Sequence, residues 1–277
     1  MTKYPLLILM LSLTFANANP AEKLPDLEQV PPGLVADTES RLTTTRQALD
    51  TEITSFVKDA ELFNHKPAKQ QTDAEYGILE TRRTACIEKA KKFNLEILFY
   101  RNLNKPGGDD LAIPDPPLTN DKEHRDASIY QAVIEQFDVE HSKRYKKDTK
   151  TYCNVFARDV VHAMGADLPP AKSVNQFVNW LKGDGKIEGW QRIDSRMAAE
   201  MANQGRPAIV IWKNPTGPHG HVAMILPDAN YDIKHTAPAH GRTEVAQAGS
   251  HNWAMIPEDQ AFVNVVQKDT IQYWYHQ

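Results

Sequence analysis

The sequence predicts an α+β protein whose longest helices come first. Two stretches in the N-terminal half repeat apolar residues at three, four and seven, the spacing of one helix face. The C-terminal half follows shorter helical stretches with brief runs of β-branched and aromatic residues set apart by Gly, Pro and Asn. Because those runs do not alternate with helices as βαβ units would, they predict an antiparallel sheet with helices packed at one side.

In chain order, a Pro-rich lead (Pro20, Pro25, Pro31, Pro32) precedes Leu42, Leu49, Ile53, Phe56, Val57, Ala60 and Phe63, which place a helix over 38–63 with Asp37 as its N-cap. Tyr76, Leu79, Cys86, Ala90 and Phe93 place a second over 73–99. The two are expected to form an antiparallel pair, with Cys86 on its buried, unreactive face. Between Lys105 and Asn120 stand Pro106, Gly107, Gly108, Pro114, Pro116 and Pro117, too many breakers for a helix or a central strand. This stretch, 105–120, reads as a linker between a helical domain, 19–104, and a second domain, 121–277. There, 126–137 reads as helix and Lys143-Arg144-Tyr145-Lys146-Lys147 as a solvated turn ahead of the next element. Helices are expected over 153–164 and 174–181, and strands over 208–212, 221–226, 244–248 and 270–275. No internal repeat or low-complexity segment interrupts this order.

Composition narrows the function classes. The apolar share, 41%, is enough for a core, and a net charge of -4 offers no basic face for nucleic acid. At the N-terminus, Lys3 precedes the apolar run 6–15, and Ala16-Asn17-Ala18 supplies the small residues a signal peptidase reads. Residues 1–18 are therefore expected to be a secretory signal peptide cleaved after Ala18. Its run of about ten apolar residues is too short for an anchor, which needs about 20. The mature protein is expected to be soluble, periplasmic or secreted, with no stable membrane insertion. Cys86 and Cys153 are the two cysteines, and in an exported protein such a pair admits a disulfide. The helical setting of Cys86 and the context of Cys153 favour two free thiols.

Cys153 stands where the polar lead Asp148-Thr149-Lys150-Thr151-Tyr152 gives way to helical periodicity. A helix start offers unpaired N–H groups and the positive end of the dipole, both of which lower a thiol's pKa. A nucleophilic thiol also needs a base. Gly217-Pro218-His219-Gly220-His221 is a polar turn that delivers His221 to the first position of the strand Val222-Ala223-Met224-Ile225-Leu226. Cys153 as nucleophile and His221 as general base are the candidate pair. Tyr152 and Asn154 flank the nucleophile, where a backbone or side-chain donor would stabilise an oxyanion. Most of the tryptophans are expected in the core, with Trp253, after Gly249, placed to line a cleft.

Thr151-Tyr152-Cys153-Asn154-Val155-Phe156 with Asp159-Val160, Ala163-Met164-Gly165, Gly220-His221-Val222-Ala223 and Val245-Ala246-Gln247-Ala248-Gly249 resemble the CHAP and NlpC-type cell-wall cysteine hydrolases, including phage-type endolysins. The resemblance covers about the last 150 residues. It implies a papain-like fold for 121–277 and hydrolysis of peptide or amide bonds in bacterial peptidoglycan, without metal or other cofactor. It also implies a third polar residue on the strand after His221 that orients the imidazole. The matching position is Gln247, where the family more often carries His, Asn or an acid; His235, His240, Asn230 and Asp228 are the alternatives. Arg144-Tyr145 matches the lead-in to the nucleophile, with a structural role. The helical domain is left to targeting, inhibition or binding of a protein partner.

Three other readings compete. His219-x-His221 resembles half of a zinc site, as in zinc-dependent cell-wall peptidases, but the usual His-x-x-x-Asp partner is absent, since His162 is followed by Asp only at Asp167. The second domain could instead be a non-catalytic binding module of the same fold, although both Cys153 and His221 are kept. Transfer or deamidation would use the same residues.

Overall fold

The computed structural model describes residues 24–107, 112–148, 150–170, 173–228, 243–265 and 270–277. The expected signal peptide lies outside them. Among the described residues the fold is α+β, with eight α-helices and a six-stranded antiparallel sheet. The chain forms two compact units, one of residues up to 32 with 36–97 and one of 33–35 with 98–277.

In the first unit, α1 (Ala36–Asn64) buries Leu42, Leu49, Phe56, Ala60 and Phe63 along one face, as the spacing predicts. The helix begins before Asp37, so this carboxylate sits inside the first turn, where it meets the positive end of the dipole and does not act as the N-cap. α2 (Asp73–Leu103) follows a 3-10 turn at Ala68–Gln70. Phe56, Ala60 and Cys86 form a cluster flanked by Leu24, Ile53, Val57 and Leu79. Arg41–Glu96, Lys89–Glu52 and Arg82–Asp59 pair at 2.6 to 2.7 Å. Their order reverses from one helix to the other, so α1 and α2 are antiparallel. Both Cys86 and Cys153 are free thiols. No helix among the described residues is long and apolar enough to cross a membrane.

The second unit opens its helices with α3 (Ala127–Gln136), where the Asp126 side chain accepts from the Ser128 and Ile129 N–H groups. Next come α4 (Cys153–Ala163), α5 (Val174–Lys182) with a Ser173/Gln176 capping box, and the single turn α6 (Asp184–Ile187). β1 (Trp190–Ile193), α7 (Ser195–Asn203), β2 (Ala208–Trp212), β3 (His221–Ile225) and β4 (Glu244–Ala248) follow. β5 (Asn252–Pro257), α8 (Glu258–Ala261) and β6 (Ile271–His276) complete the unit. Strand order is β1-β6-β2-β3-β4-β5, the last strand inserting between the first and second.

Helices were expected at one side of the sheet. Successive strand residues point to opposite faces, yet Ile209, Val210 and Ile211 of β2, Val222, Ala223 and Met224 of β3, and Val245 and Ala246 of β4 are all fully buried. The centre of the sheet is therefore covered on both faces.

The stretch expected as a linker supplies contacts to this unit. The Gln136 side chain exchanges two hydrogen bonds with the Leu118 backbone, at 3.1 and 2.9 Å. Asn120, fully buried, donates to the carbonyls of Asp126 and Gly205 and accepts from the Asp126 N–H. Its own N–H donates to the Ala163 carbonyl at the end of α4. A fragment beginning at Asp121 would lose all of these, while one beginning at Leu98 keeps them. At about 1 kcal/mol per buried hydrogen bond, the shorter fragment is expected to unfold at least about 3 kcal/mol more easily in urea. Equal midpoints would show that 105–120 is a passive linker.

Candidate active site

Cys153 opens α4, and its N-cap, Tyr152, makes no side-chain capping bond. The first N–H groups of the helix are thus left to other acceptors. What fixes this helix start is a buried ion pair. Arg144 and Asp159 are 1% and 0% exposed. The guanidinium donates from Nε to Asp159 Oδ2 at 2.5 Å and from Nη2 to Oδ1 at 3.0 Å. Nη2 also donates to the Ala112 carbonyl at 3.0 Å, and the Tyr145 hydroxyl donates to Asp159 Oδ2 at 2.7 Å. Segment 143–147 is therefore not the solvated turn that its lysines suggest. Arg144 and Tyr145 turn inward to Asp159, less than two turns into α4 from Cys153, and the lysines stay exposed.

His221 begins β3 at the end of a turn that two asparagines shape. Asn175 of α5 donates to the Asn214 and Gly217 carbonyls, at 3.2 and 2.9 Å, and accepts from the Asn214 N–H at 3.0 Å. Asn214 accepts from the Thr216 and Gly217 N–H groups and donates to the His219 carbonyl. A side chain at Gly220 would meet the Trp212 carbonyl oxygen at 2.2 Å, so only glycine lets the turn close on β2. The histidine that follows is held by the ladder opposite Trp212.

The β3–β4 register sets Met224 against Ala246, and its continuation brings Gln247 onto the face that carries His221. His221 Nε2 lies 2.5 Å from Gln247 Oε1. The Gln247 amide nitrogen donates to the His251 carbonyl at 3.4 Å, which turns the amide oxygen to the ring. An amide oxygen only accepts, so Nε2 carries the hydrogen and a neutral ring keeps Nδ1 as the free base. Phe262 packs against the imidazole at 5.0 Å and 55°, and a side chain at Gly249 would stand 3.3 Å from its Cε1.

The N–H of Val222, the residue after His221 along β3, faces the Cys153 sulfur, so the first residues of α4 and β3 adjoin. Burial pushes the Cys153 thiol up to about 11, against the N–H groups of Val222, Asn154 and Cys153 itself, which favour the thiolate. The lowering expected from the helix start is present but outweighed. Burial also holds His221 below the ordinary imidazole value, partly opposed by its hydrogen bond to Gln247. At neutral pH the pair is a neutral thiol beside a neutral imidazole.

Of the flanking candidates, the Tyr152 hydroxyl donates to Asp148 Oδ2 at 3.2 Å, and Asn154 contributes its backbone N–H at the sulfur. His235, His240 and Asn230 lie outside the described residues. The N–H of Asp228 donates to Asn203 Oδ1 at 2.7 Å. His219 is exposed, and among the described residues no three His, Cys, Asp or Glu side chains converge as a metal site. Trp253 lies on β5, a strand not expected from the sequence, directly across from Gln247. Phe262, Asn175 and the Val222 N–H carried no signal in the sequence, although Gly220 and Gly249 mark where the backbone must pass closely.

Replacing Asp159 with Asn leaves the buried Arg144 charge uncompensated and is expected to cost about 3 to 5 kcal/mol in denaturant unfolding; a loss below about 1 kcal/mol would show that the pair does not anchor α4. Alkylation of Cys153 by iodoacetamide is expected to be slow at neutral pH and to climb about tenfold per pH unit toward the thiol's pKa. A plateau near neutrality would show a thiolate already formed. No family model and no curated protein sequence matches the chain.

Proposed function

We propose that this protein is an exported cysteine hydrolase of papain-like fold that cleaves peptide or amide bonds of bacterial peptidoglycan, with Cys153 as nucleophile and His221 as general base. The observation that carries the reading is the His221 ring, fixed by Gln247 through Nε2 beside an uncapped helix start that bears a thiol. The peptidoglycan substrate rests on the resemblance of the Cys153 and His221 segments to CHAP and NlpC-type hydrolases. Export rests on the leader 1–18, and with it a periplasmic or secreted location.

In this reading the thiol attacks the amide carbonyl while its proton passes to His221 Nδ1. The N–H groups at the start of α4 face the oxygen that gains charge. The imidazolium returns the proton to the departing amine, leaving a thioester on Cys153. A water that gives its proton to His221 then hydrolyses the thioester and restores the thiol. Because both partners start neutral, proton transfer accompanies attack.

The test is digestion of purified peptidoglycan, with the released fragments identified by mass spectrometry. Cys153→Ala and His221→Ala are each expected to abolish release with the fold intact, since the two act as one unit. Gln247→Ala is expected to cost roughly ten- to a thousandfold in turnover, or about 1.4 to 4 kcal/mol. A neutral amide fixes the tautomer but stabilises the imidazolium less than a carboxylate would. Neutral His221 is the active base and its value is lowered, so activity is expected to hold through pH 6.5 and to fall only as pH drops below it. Substantial turnover by either the Cys153 or the His221 variant overturns the assignment.

A further inference from the structure

Three features lie outside the candidate pair and are linked to it through β5 and Gln247. The first is charge: Lys143, Lys146 and Lys147 are exposed ahead of α4, while Arg144 and Tyr145 between them are buried. Burial of those two side chains fixes the backbone of the segment and leaves the lysine ammonium groups in water. In a chain of net charge -4 this is a concentrated positive strip. The second is Trp253, 42% exposed, with Met255 on the same face of the strand at 51%. A tryptophan left this open on a rigid strand is a large unfilled apolar surface beside a candidate site. The third is the link between them. Asn252, which precedes Trp253, donates to the Tyr145 carbonyl and to the Val139 carbonyl, both at 2.9 Å, and the Ala254 N–H donates to Glu140 Oε1 at 3.1 Å. The backbone that carries Lys146 is thereby tied to the strand that carries Trp253, and Trp253 stands across from Gln247, which holds His221.

We infer that Lys146, Lys147 and Trp253 form the substrate-recognition surface of the candidate site, and that it takes a carboxylate-bearing peptide, the ammonium groups reading the carboxylate and the indole covering an apolar face next to it. The inference rests on the proposed hydrolase reading for its reaction but not for its ligand. Ammonium groups act as point charges on flexible stems, so they select the sign of the substrate, and the rigid indole supplies position. The substrate class is thus an acidic peptide such as a wall stem peptide with free carboxylates, in preference to an amidated one.

The experiment measures binding and turnover separately in the full chain. A fluorescently labelled stem peptide with free carboxylates and its amidated twin are titrated into Cys153→Ala protein and followed by anisotropy. The acidic peptide is expected to bind about tenfold more tightly, with the difference shrinking as salt is raised. Adding Lys146→Gln and Lys147→Gln is expected to abolish that preference, and Trp253→Ala to weaken both peptides about tenfold, with Trp253→Phe recovering most of the loss. In the active protein the same lysine and tryptophan changes are expected to raise KM with kcat nearly unchanged. Equal affinity for the two peptides, or affinities within twofold of the parent after these changes, overturns the inference. Acidic-peptide binding without any hydrolysis by the unsubstituted protein would overturn the hydrolase reading and leave this surface standing.

Discussion

The buried contact between Arg144, Tyr145 and Asp159 is the constraint on which the site depends. Two charges taken out of water lose several kcal/mol of hydration each, and attraction repays this only when geometry is good and the remaining donors are satisfied. Here two guanidinium nitrogens reach both carboxylate oxygens, a third bond goes to the Ala112 carbonyl, and the Tyr145 hydroxyl adds another donor. Such an arrangement has one geometry in which it is tolerable. It therefore positions three things together: the segment 143–147, the interior of α4, and the stretch near 112. With α4 pinned at Asp159, its first residue is pinned as well.

The site itself is a contest between local electrostatics and burial. A helix start and the Val222 N–H favour a thiolate at Cys153, but the residue is only 4% exposed and burial wins. The same burial keeps His221 neutral, so the pair rests without charge separation. Rigid strands supply what charge does not. The ladder holds His221, Gln247 holds its ring, and the Asn175–Asn214 turn fixes how the chain enters β3. In the proposed hydrolase reading, a proton shared during attack needs such placement more than it needs an ion pair prepared in advance.

Much of the architecture was legible in the chain. The long helices were readable because Leu42, Leu49, Phe56, Ala60 and Phe63 recur over many turns, and the β2, β3 and β4 strands because β-branched residues cluster there between turn residues. β1 and β5 were not. β1 is four residues long, and β5 mixes Asn, Ala and Pro with outward-facing Trp253 and Met255, so neither shows a buried alternation. Arg144 reads two ways: its flanking lysines suggest a solvated turn, whereas the resemblance gives Arg144-Tyr145 a structural role, and the buried pairing with Asp159, fifteen residues on, agrees with the second.

By itself the sequence determined the α+β class, the helical first half, and the placement of Cys153 at a helix start and of His221 at a strand start, because these follow from periodicity and turn chemistry within a few residues. Gln247 came from the resemblance, since periodicity marks 244–248 as a strand without saying which strand it pairs with; the ladder beside β3 is a tertiary result. Only the tertiary structure decided that both sheet faces are covered, that Leu118 and Asn120 bond into the second unit, and that the thiol rests protonated. Each of these depends on which distant groups exclude water from a given atom. Burial is a property of the assembled fold, and it sets the cost of charge at Cys153, His221 and Arg144 alike.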